Sequence, residues 1–272
     1  MTASRPRLNR VAATRRAVHS CTSKRQVINL ESSITMESLS IYLAPPSRCG
    51  YLPDQLWQLE YEHVASITPA EYMQRMLQGW RRFGSVLFRP RCPHCAACRP
   101  LRVIVDRFQP DRSQRRVRKA NAKVIRLRIG APTVTRAKLA LYDLYHAYQS
   151  ETKAWPVHPA KDAWEYASSF IDNPFPTEEW CYYLGSKLVG VGYVDVLPGG
   201  LSAIYFYYDP AERGRSLGTW NVLSILESAA GRRVPHVYLG YYVADCPSML
   251  YKANFKPNQV RGPEGCWQEF QS

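Results

Sequence analysis

The chain has 272 residues, enough for one large or two modest cores, and its 46% hydrophobic share is ordinary for a globular protein. No uninterrupted apolar stretch approaches the ~20 residues that a membrane-spanning helix needs. Eight cysteines do not make the density of a secreted disulfide scaffold, and no signal peptide is evident, so the expected compartment is the reducing cytoplasm. A formal charge of +14 points to an anionic partner, nucleic acid first, although basic charge alone is weak evidence.

Residues 1–35 carry seven Lys/Arg against one acid, Glu31, and lack an amphipathic period, so a disordered basic leader is expected there. A folded pattern opens at Met36, which marks Met36 as the expected true start; an Arg-rich mitochondrial-type presequence is the alternative. Without the leader the body stays basic. Thr68-Pro69-Ala70-Glu71 is a capping box with Pro at the first helical position. Tyr72, Met76, Trp80 and Phe83 follow at helical spacing, with Gly84 closing the helix, and that stripe reads as core.

Cys92, Cys95 and Cys98 stand at CxxCxxC spacing in a loop bracketed by arginines and prolines, and Cys49 lies upstream in Arg48-Cys49-Gly50-Tyr51. A two-residue gap lets neighbouring thiolates converge on one centre without straining the backbone, which suits a metal ion or an iron–sulfur cluster. Three free or redox thiols is the plainer reading; the overlapping pair plus a distant fourth cysteine favours the centre. Residues 86–88 and 101–105 read as strands forming a hairpin around the loop, which puts the thiols at the end of a small sheet.

Nine basic residues lie between Arg107 and Arg128, with no acid after Asp111. Residues 113–121 read as a helix whose cationic face, Arg115 and Arg116 included, suits a phosphate backbone; a merely solvated face is the plainer reading. Helical patterns follow around Tyr142 and over 160–171. Strand patterns cover 180–184, 188–196 and 201–208, then Arg213-Gly214-Arg215-Ser216-Leu217-Gly218 leads into a helix, and 236–241 is a last strand. Strands, glycine-bearing turn, helix, strand is the order of the N-acetyltransferase (GNAT) core, where turn amides and the helix dipole hold phosphates. The expected fold is therefore α+β: a disordered leader (1–35), a Cys-bearing, nucleic-acid-contacting N-terminal α/β module (36–128) and a GNAT-like transferase domain with a mixed central sheet (129–272).

Several stretches together resemble the aminoacyl-tRNA–protein transferases, most closely their bacterial leucyltransferase branch. They are Cys49-Gly50-Tyr51-Leu52-Pro53, Trp80-Arg81-Arg82-Phe83-Gly84, Cys92 to Pro100, Arg112-Ser113-Gln114-Arg115-Arg116, Ala203 to Pro210, Tyr238-Leu239-Gly240-Tyr241-Tyr242 and Met249-Leu250-Tyr251-Lys252. The resemblance implies transfer of leucine, or alternatively arginine, from an aminoacyl-tRNA to proteins beginning with Asp or Glu, which marks them for degradation. It also implies a link to an iron–sulfur cluster, with zinc as the other occupant of Cys49, Cys92, Cys95 and Cys98. In the eukaryotic arginyl branch the first motif reads CGYC; here Leu52 stands at the second cysteine.

The tRNA ester is already activated, so such an enzyme mainly aligns a neutral amine with the carbonyl and excludes water. Asp209 or Asp245 is the candidate proton acceptor, although Asp209-Pro210 is also a common turn starter. Lys252 is the candidate functional cation, for tRNA phosphate or for the acceptor's acidic side chain. Arg48 and Arg99 are further candidates for the acidic pocket. Arg112, Arg115, Arg116, Arg213, Arg215 and Gly218 are expected to grip tRNA phosphates, and Tyr205 and Tyr241 to stack the terminal adenosine. Cys181 and Cys246 read as core thiols. An acetyl-CoA enzyme is the rival with a shared fold, but Ser216 stands where the usual first glycine of R/QxxGxG/A belongs, and no CoA is expected. A zinc-stabilised RNA-binding protein is the rival without catalysis. No membrane partner is expected.

Overall fold

The computed structural model describes residues 36–153, 155–157 and 159–270, all within one compact unit; the expectations for the leader lie outside the described residues. In chain order the elements are β1 (Glu37–Leu43), β2 (Ser47–Arg48), β3 (Leu56–Trp57), β4 (Leu59–Ser66), α1 (Pro69–Leu77), β5 (Arg81–Phe83), β6 (Val86–Pro90), β7 (Arg99–Ile104), α2 (Arg112–Asn121) and β8 (Ile125–Gly130). There follow α3 (Arg136–Lys153), α4 (Ala163–Phe170), β9 (Thr177–Leu184), β10 (Lys187–Leu197), β11 (Gly200–Tyr208), α5 (Leu217–Gly231), β12 (His236–Tyr242), β13 (Asn258–Arg261) and β14 (Trp267–Glu269). No helix among the described residues is long and apolar enough to cross a membrane.

Local chemistry starts the first two helices, the first by the capping box that the sequence predicts. Thr68 Oγ1 accepts from the Glu71 amide at 3.2 Å while the Glu71 carboxylate accepts from the Thr68 amide at 2.9 Å. Asp111 and Gln114 repeat that reciprocal box at the start of α2. α1 ends earlier than its apolar period suggests. Gly79 takes φ +95, a left-handed conformation that costs glycine little, so the helix ends there, and Gly84 (φ +56) instead turns β5 into β6. Phe83 therefore stands in β5, not on the helix.

The architecture is α+β with a large mixed sheet. Eight strands run in the order β14-β13-β7-β12-β11-β10-β9-β8, antiparallel throughout except for the β11–β12 pair. β7 precedes residue 129 and β8 runs across it, yet both share this sheet with β9 to β14, so 36–128 and 129–272 are joined through one ladder. A four-stranded antiparallel sheet, β1-β4-β6-β5, lies beside it. The expected hairpin around the thiols is not formed. β6 already has β4 on one side and β5 on the other, so β7 has no free edge of β6 to pair with and enters the large sheet instead.

Side chains alternate along β9: Trp180 and Tyr182 pack with Leu217, Trp220 and Ile225 of α5, whereas Cys181 faces Leu141 and Tyr142 of α3. Tyr72 and Met76 of α1 pack with Leu87, Leu197 and Tyr238, joining the small sheet to the large one. At the start of β11 a Cβ on Gly200 would lie 2.3 Å from the His236 carbonyl oxygen, so the parallel ladder closes only around glycine there.

One buried ion pair ties the two sheets. Arg82 of β5 donates from Nε to Asp195 Oδ2 of β10 at 2.7 Å and from Nη2 to Oδ1, and Thr177 Oγ1 donates to the same carboxylate at 2.9 Å. Both charged side chains are almost wholly buried. Removing one partner strands the other charge away from water. Asp195→Ala should therefore lower unfolding free energy by about 3–5 kcal/mol, measured by urea denaturation.

Candidate functional site

Four thiols expected to share a centre are brought to one pocket. Cys49 follows β2, its amide donating to the Gln55 carbonyl at 2.9 Å, and its sulfur accepts from the Tyr51 amide at 3.4 Å. Cys92 follows β6, and its sulfur accepts from the Gln58 amide at 3.4 Å. Cys98 immediately precedes β7. Cys49, Cys92, Cys95 and Cys98 line the pocket with Tyr51, Trp57, Phe88 and Tyr241. Burial, then the charges of Cys92, Cys49, Cys95 and Cys246, push the Cys98 thiol up to about 12. Burial and the thiols Cys98, Cys246 and Cys49 likewise push Tyr51 up to about 12.

Among the described residues no three His, Cys, Asp or Glu side chains group into a site for a single metal ion. The four sulfurs line one pocket without being drawn together there as a ligand set for one metal ion. No disulfide joins the described cysteines.

Tyr241 forms one wall of this pocket. Its hydroxyl donates to the Gly79 carbonyl at 2.8 Å and the Phe88 carbonyl at 3.3 Å, fastening β12 to the small sheet. Lys252 is buried behind it and donates to the Tyr241 carbonyl at 2.6 Å. Burial, helped by the Arg81 charge, pulls the Lys252 ammonium down to about 8. Arg99 begins β7 with its guanidinium 5.5 Å from the Phe270 ring centre, while Arg48 is exposed beside Cys49.

The two candidate carboxylates differ. Asp209 is buried and starts a 3-10 turn, Pro210–Arg215, by accepting from the Ala211 amide at 2.9 Å and from Lys187 Nζ at 2.6 Å. Burial works to raise its pKa, but the Lys187 and Ala211 bonds outweigh it and hold the carboxyl below its usual range. That is the environment of a turn starter more than of a base. Asp245 is exposed in the turn after β12.

The predicted phosphate-binding residues share one region. Arg112, Arg115 and Arg116 are exposed on α2, whose Asn121 Nδ2 donates to the Arg215 carbonyl at 2.8 Å. That bond sets α2 against the 3-10 turn carrying Arg213 and Arg215. Ser216 then takes a left-handed φ of 54 and its side chain does not cap α5, so the first turn of α5, Gly218 included, keeps amides without a side-chain cap.

Between these two regions lies a break in the ladder. β11 and β12 pair in parallel only from Gly200 to Ser202 and from His236 to Tyr238, yet both strands continue. Tyr205 stands beyond the break on β11, its hydroxyl 2.8 Å from His146 Nε2, and Tyr241 stands beyond it on β12. A separate groove of about 480 Å³ opens at the β8 edge, lined by Arg128, Thr133, Lys138, Glu179 and Tyr183. Its buried Lys138 and Glu179 form an ion pair with each other at 2.5 Å.

The profile described as "Arginine-tRNA-protein transferase, N terminus" matches residues 47–116, and the one described as "Arginine-tRNA-protein transferase, C terminus" matches residues 140–262. An aspartate/glutamate leucyltransferase of Campylobacter jejuni is 34% identical over 216 residues, covering 78% of this chain and 89% of that protein. The chain belongs to the arginine-tRNA-protein transferase family. An aspartate/glutamate leucyltransferase of Marinobacter nauticus is 36% identical over 238 residues, covering 86% of this chain and 97% of that protein. The solved structure of L-PGS from Bacillus licheniformis aligns at 12% identity with a TM-score of 0.43, over 72% of this chain and 62% of that one, a likeness too slight to argue from.

Three residues of this family member escape a reading of sequence alone. Tyr51 walls the thiol pocket, and Cys246, a buried thiol as expected, also adds its charge to the field at Cys98. Arg81, beside Arg82 in the Trp80–Gly84 stretch, is buried without an acidic partner. No local signal separates it from its neighbour; only the position of Asp195 does.

Tyr241→Phe removes one hydroxyl donor and leaves two carbonyls short of it. The variant should unfold about 1–2 kcal/mol more easily in urea.

Proposed function

We propose that the protein transfers leucine from leucyl-tRNA to the α-amine of proteins whose first residue is Asp or Glu, marking them for degradation. The observation that carries this reading is the match to aspartate/glutamate leucyltransferases across 89% and 97% of their lengths. Arginine is the second donor to test, because the family profiles take their description from it. Family membership sets aside both an acetyl-CoA enzyme and an RNA-binding module without catalysis.

Three features support a GNAT-like arrangement for this chemistry: the parallel β11–β12 pair, the break beyond it, and α5 starting beside that break. The tRNA acceptor end runs along α2, with Arg112, Arg115 and Arg116 on its phosphates. Its terminal phosphates meet Arg213, Arg215 and the free amides of α5 around Gly218. The aminoacyl ester enters the break between β11 and β12, where Tyr205 and Tyr241 flank the adenosine.

The acceptor amine, neutral when it attacks, adds to the ester carbonyl carbon. The tetrahedral adduct then expels the tRNA ribose hydroxyl, leaving an amide bond. The amine's proton leaves for that oxygen or for a carboxylate, and exposed Asp245 is freer to accept it than Asp209, which Lys187 already holds. Arg48, Arg99 and Lys252 are the cations offered to the acidic first side chain. Cys49, Cys92, Cys95 and Cys98 would hold a zinc ion or an iron–sulfur cluster; bound, it would cross-link the Cys49 turn to the loop entering β7.

Purified protein supplied with Leu-tRNA should add leucine to Asp- and Glu-initiated peptides and not to Ala-initiated ones. Arginine added instead from Arg-tRNA would change the donor, and no product from either would contradict the reading. Replacing Arg112, Arg115 and Arg116 together by Ala should weaken tRNA binding. It should also flatten the plot of log affinity against log salt by roughly 0.7–0.9 for each phosphate no longer neutralised.

A further inference from the structure

Tyr205 is held differently from its neighbours on β11. Strand β10 pairs Val194 with Ala203 but Tyr193 with Tyr205, so Ile204 is an extra residue, a bulge. A bulge bends its strand and re-aims the side chains beside it. On its other side β11 has lost β12, since their ladder stops at Ser202. Tyr205 therefore stands half-buried where the sheet is least regular, on the face covered by α3 and α4. Two tyrosines on the same face, Tyr193 and Tyr207, are deeply buried, and their hydroxyls are bonded to that of Tyr166 of α4, inside the core. The Tyr205 hydroxyl goes elsewhere.

It lies 2.8 Å from His146 Nε2 of α3. His146 is 8% exposed, and its ring stacks on Tyr142 with 4.1 Å between centres and 25° between planes. Trp155 stands edge-on to it at 5.8 Å. An imidazole packed on its face and at its edge has little room to turn, so Nε2 is a fixed point. Phe83 and Phe170 also lie against the Tyr205 ring, at 6.3 and 5.5 Å, but have no group to hold a hydroxyl. The hydrogen bond thus runs from the core to the break and settles which way Tyr205 points. A tyrosine has two side-chain rotations to lose when something binds to it; a ring already tied has lost them beforehand.

We propose that His146 is a positioning residue: through the Tyr205 hydroxyl it fixes the ring on which the terminal adenosine of the tRNA stacks. This rests on the reading that Tyr205 flanks that adenosine. Stacking needs the aromatic plane to stand where the base arrives, and the tie to His146 holds it there before the tRNA binds. His146 itself touches neither the adenosine nor the reacting atoms. Its effect falls on the last nucleotide alone, because the phosphate contacts of α2 and α5 supply the rest of the affinity. The imidazole nitrogen donates or accepts in this bond according to its tautomer. A Gln amide can do either, whereas a Phe ring can do neither.

The test measures binding of uncharged leucine tRNA, with and without its terminal adenosine, to the full chain as wild type, His146→Phe, His146→Gln and Tyr205→Phe. Wild type should prefer the complete tRNA by roughly 5- to 150-fold, the usual gain from stacking one base. His146→Phe and Tyr205→Phe should each cut that preference at least about fivefold, and the double variant should cut it no further than either, since both remove one bond. The shortened tRNA brings no base to Tyr205 and should bind all of them alike. His146→Gln should keep more of the preference than His146→Phe. A His146→Phe variant with the full preference would overturn the positioning role. So would one that weakens both tRNAs equally, the mark of a residue that only supports the fold. Wild type that binds tRNA without preferring the complete form would overturn the adenosine reading of Tyr205, and wild type that binds neither form would overturn the tRNA reading itself, two separate results. Should His146→Phe not fold, Tyr205→Phe decides alone, because it removes the same bond from the half-buried side.

Discussion

Strand β7 is the constraint on which the arrangement depends. It begins at Arg99, directly after Cys98, and is held on one side by β12 and on the other by β13. Leu101 and Val103 are wholly buried in the core beneath it. A strand paired on both edges and buried at alternate residues cannot slip by one position without turning its apolar side chains outward. The register that pairs Arg99 with Tyr242 therefore also fixes where the thiol loop meets Tyr241. The cysteine motif and the strand break beside it are parts of one rigid frame.

Electrostatics refine that frame. Arg81 and Arg82 are neighbours on one short strand and point to opposite destinations: Arg82 to Asp195 in the large sheet, Arg81 towards the rings of Tyr238 and Tyr241. The first closes a ladder between two sheets. The second puts positive charge against Tyr241, on whose carbonyl Lys252 also sits. Away from this core Arg112 and Arg116 of α2 and Arg213 of the 3-10 turn are exposed to solvent, where they can meet a phosphate chain, while Arg215 is half-buried and paired with Glu212 at 2.8 Å.

Much of the fold is legible because it is written in local chemistry. The capping box at Thr68 names its own helix, and the strand patterns over 180–184, 188–196 and 201–208 name theirs. Pairing is less legible. Whether β7 joins β6 or the large sheet depends on which edges other strands have already taken, and no local pattern records that. The end of α1 is obscured because the apolar period carries past Gly79, although that glycine is a left-handed turn in plain view. At the site, thiol spacing foretells that Cys49, Cys92, Cys95 and Cys98 face one pocket. It gives no sign that Arg81 lies against Tyr241 or that Lys187 occupies Asp209.

The family assignment and the geometry meet at the break between β11 and β12, with the cationic path on one side and the thiol pocket on the other. The most direct measurement of that claim is a structure of the protein bound to a non-hydrolysable mimic of the leucylated tRNA acceptor end. The account predicts the terminal phosphates on the first turn of α5 and the aminoacyl group between β11 and β12, beyond Ser202 and Tyr238. An aminoacyl group lodged instead in the groove between Arg128, Lys138 and Glu179 would contradict it.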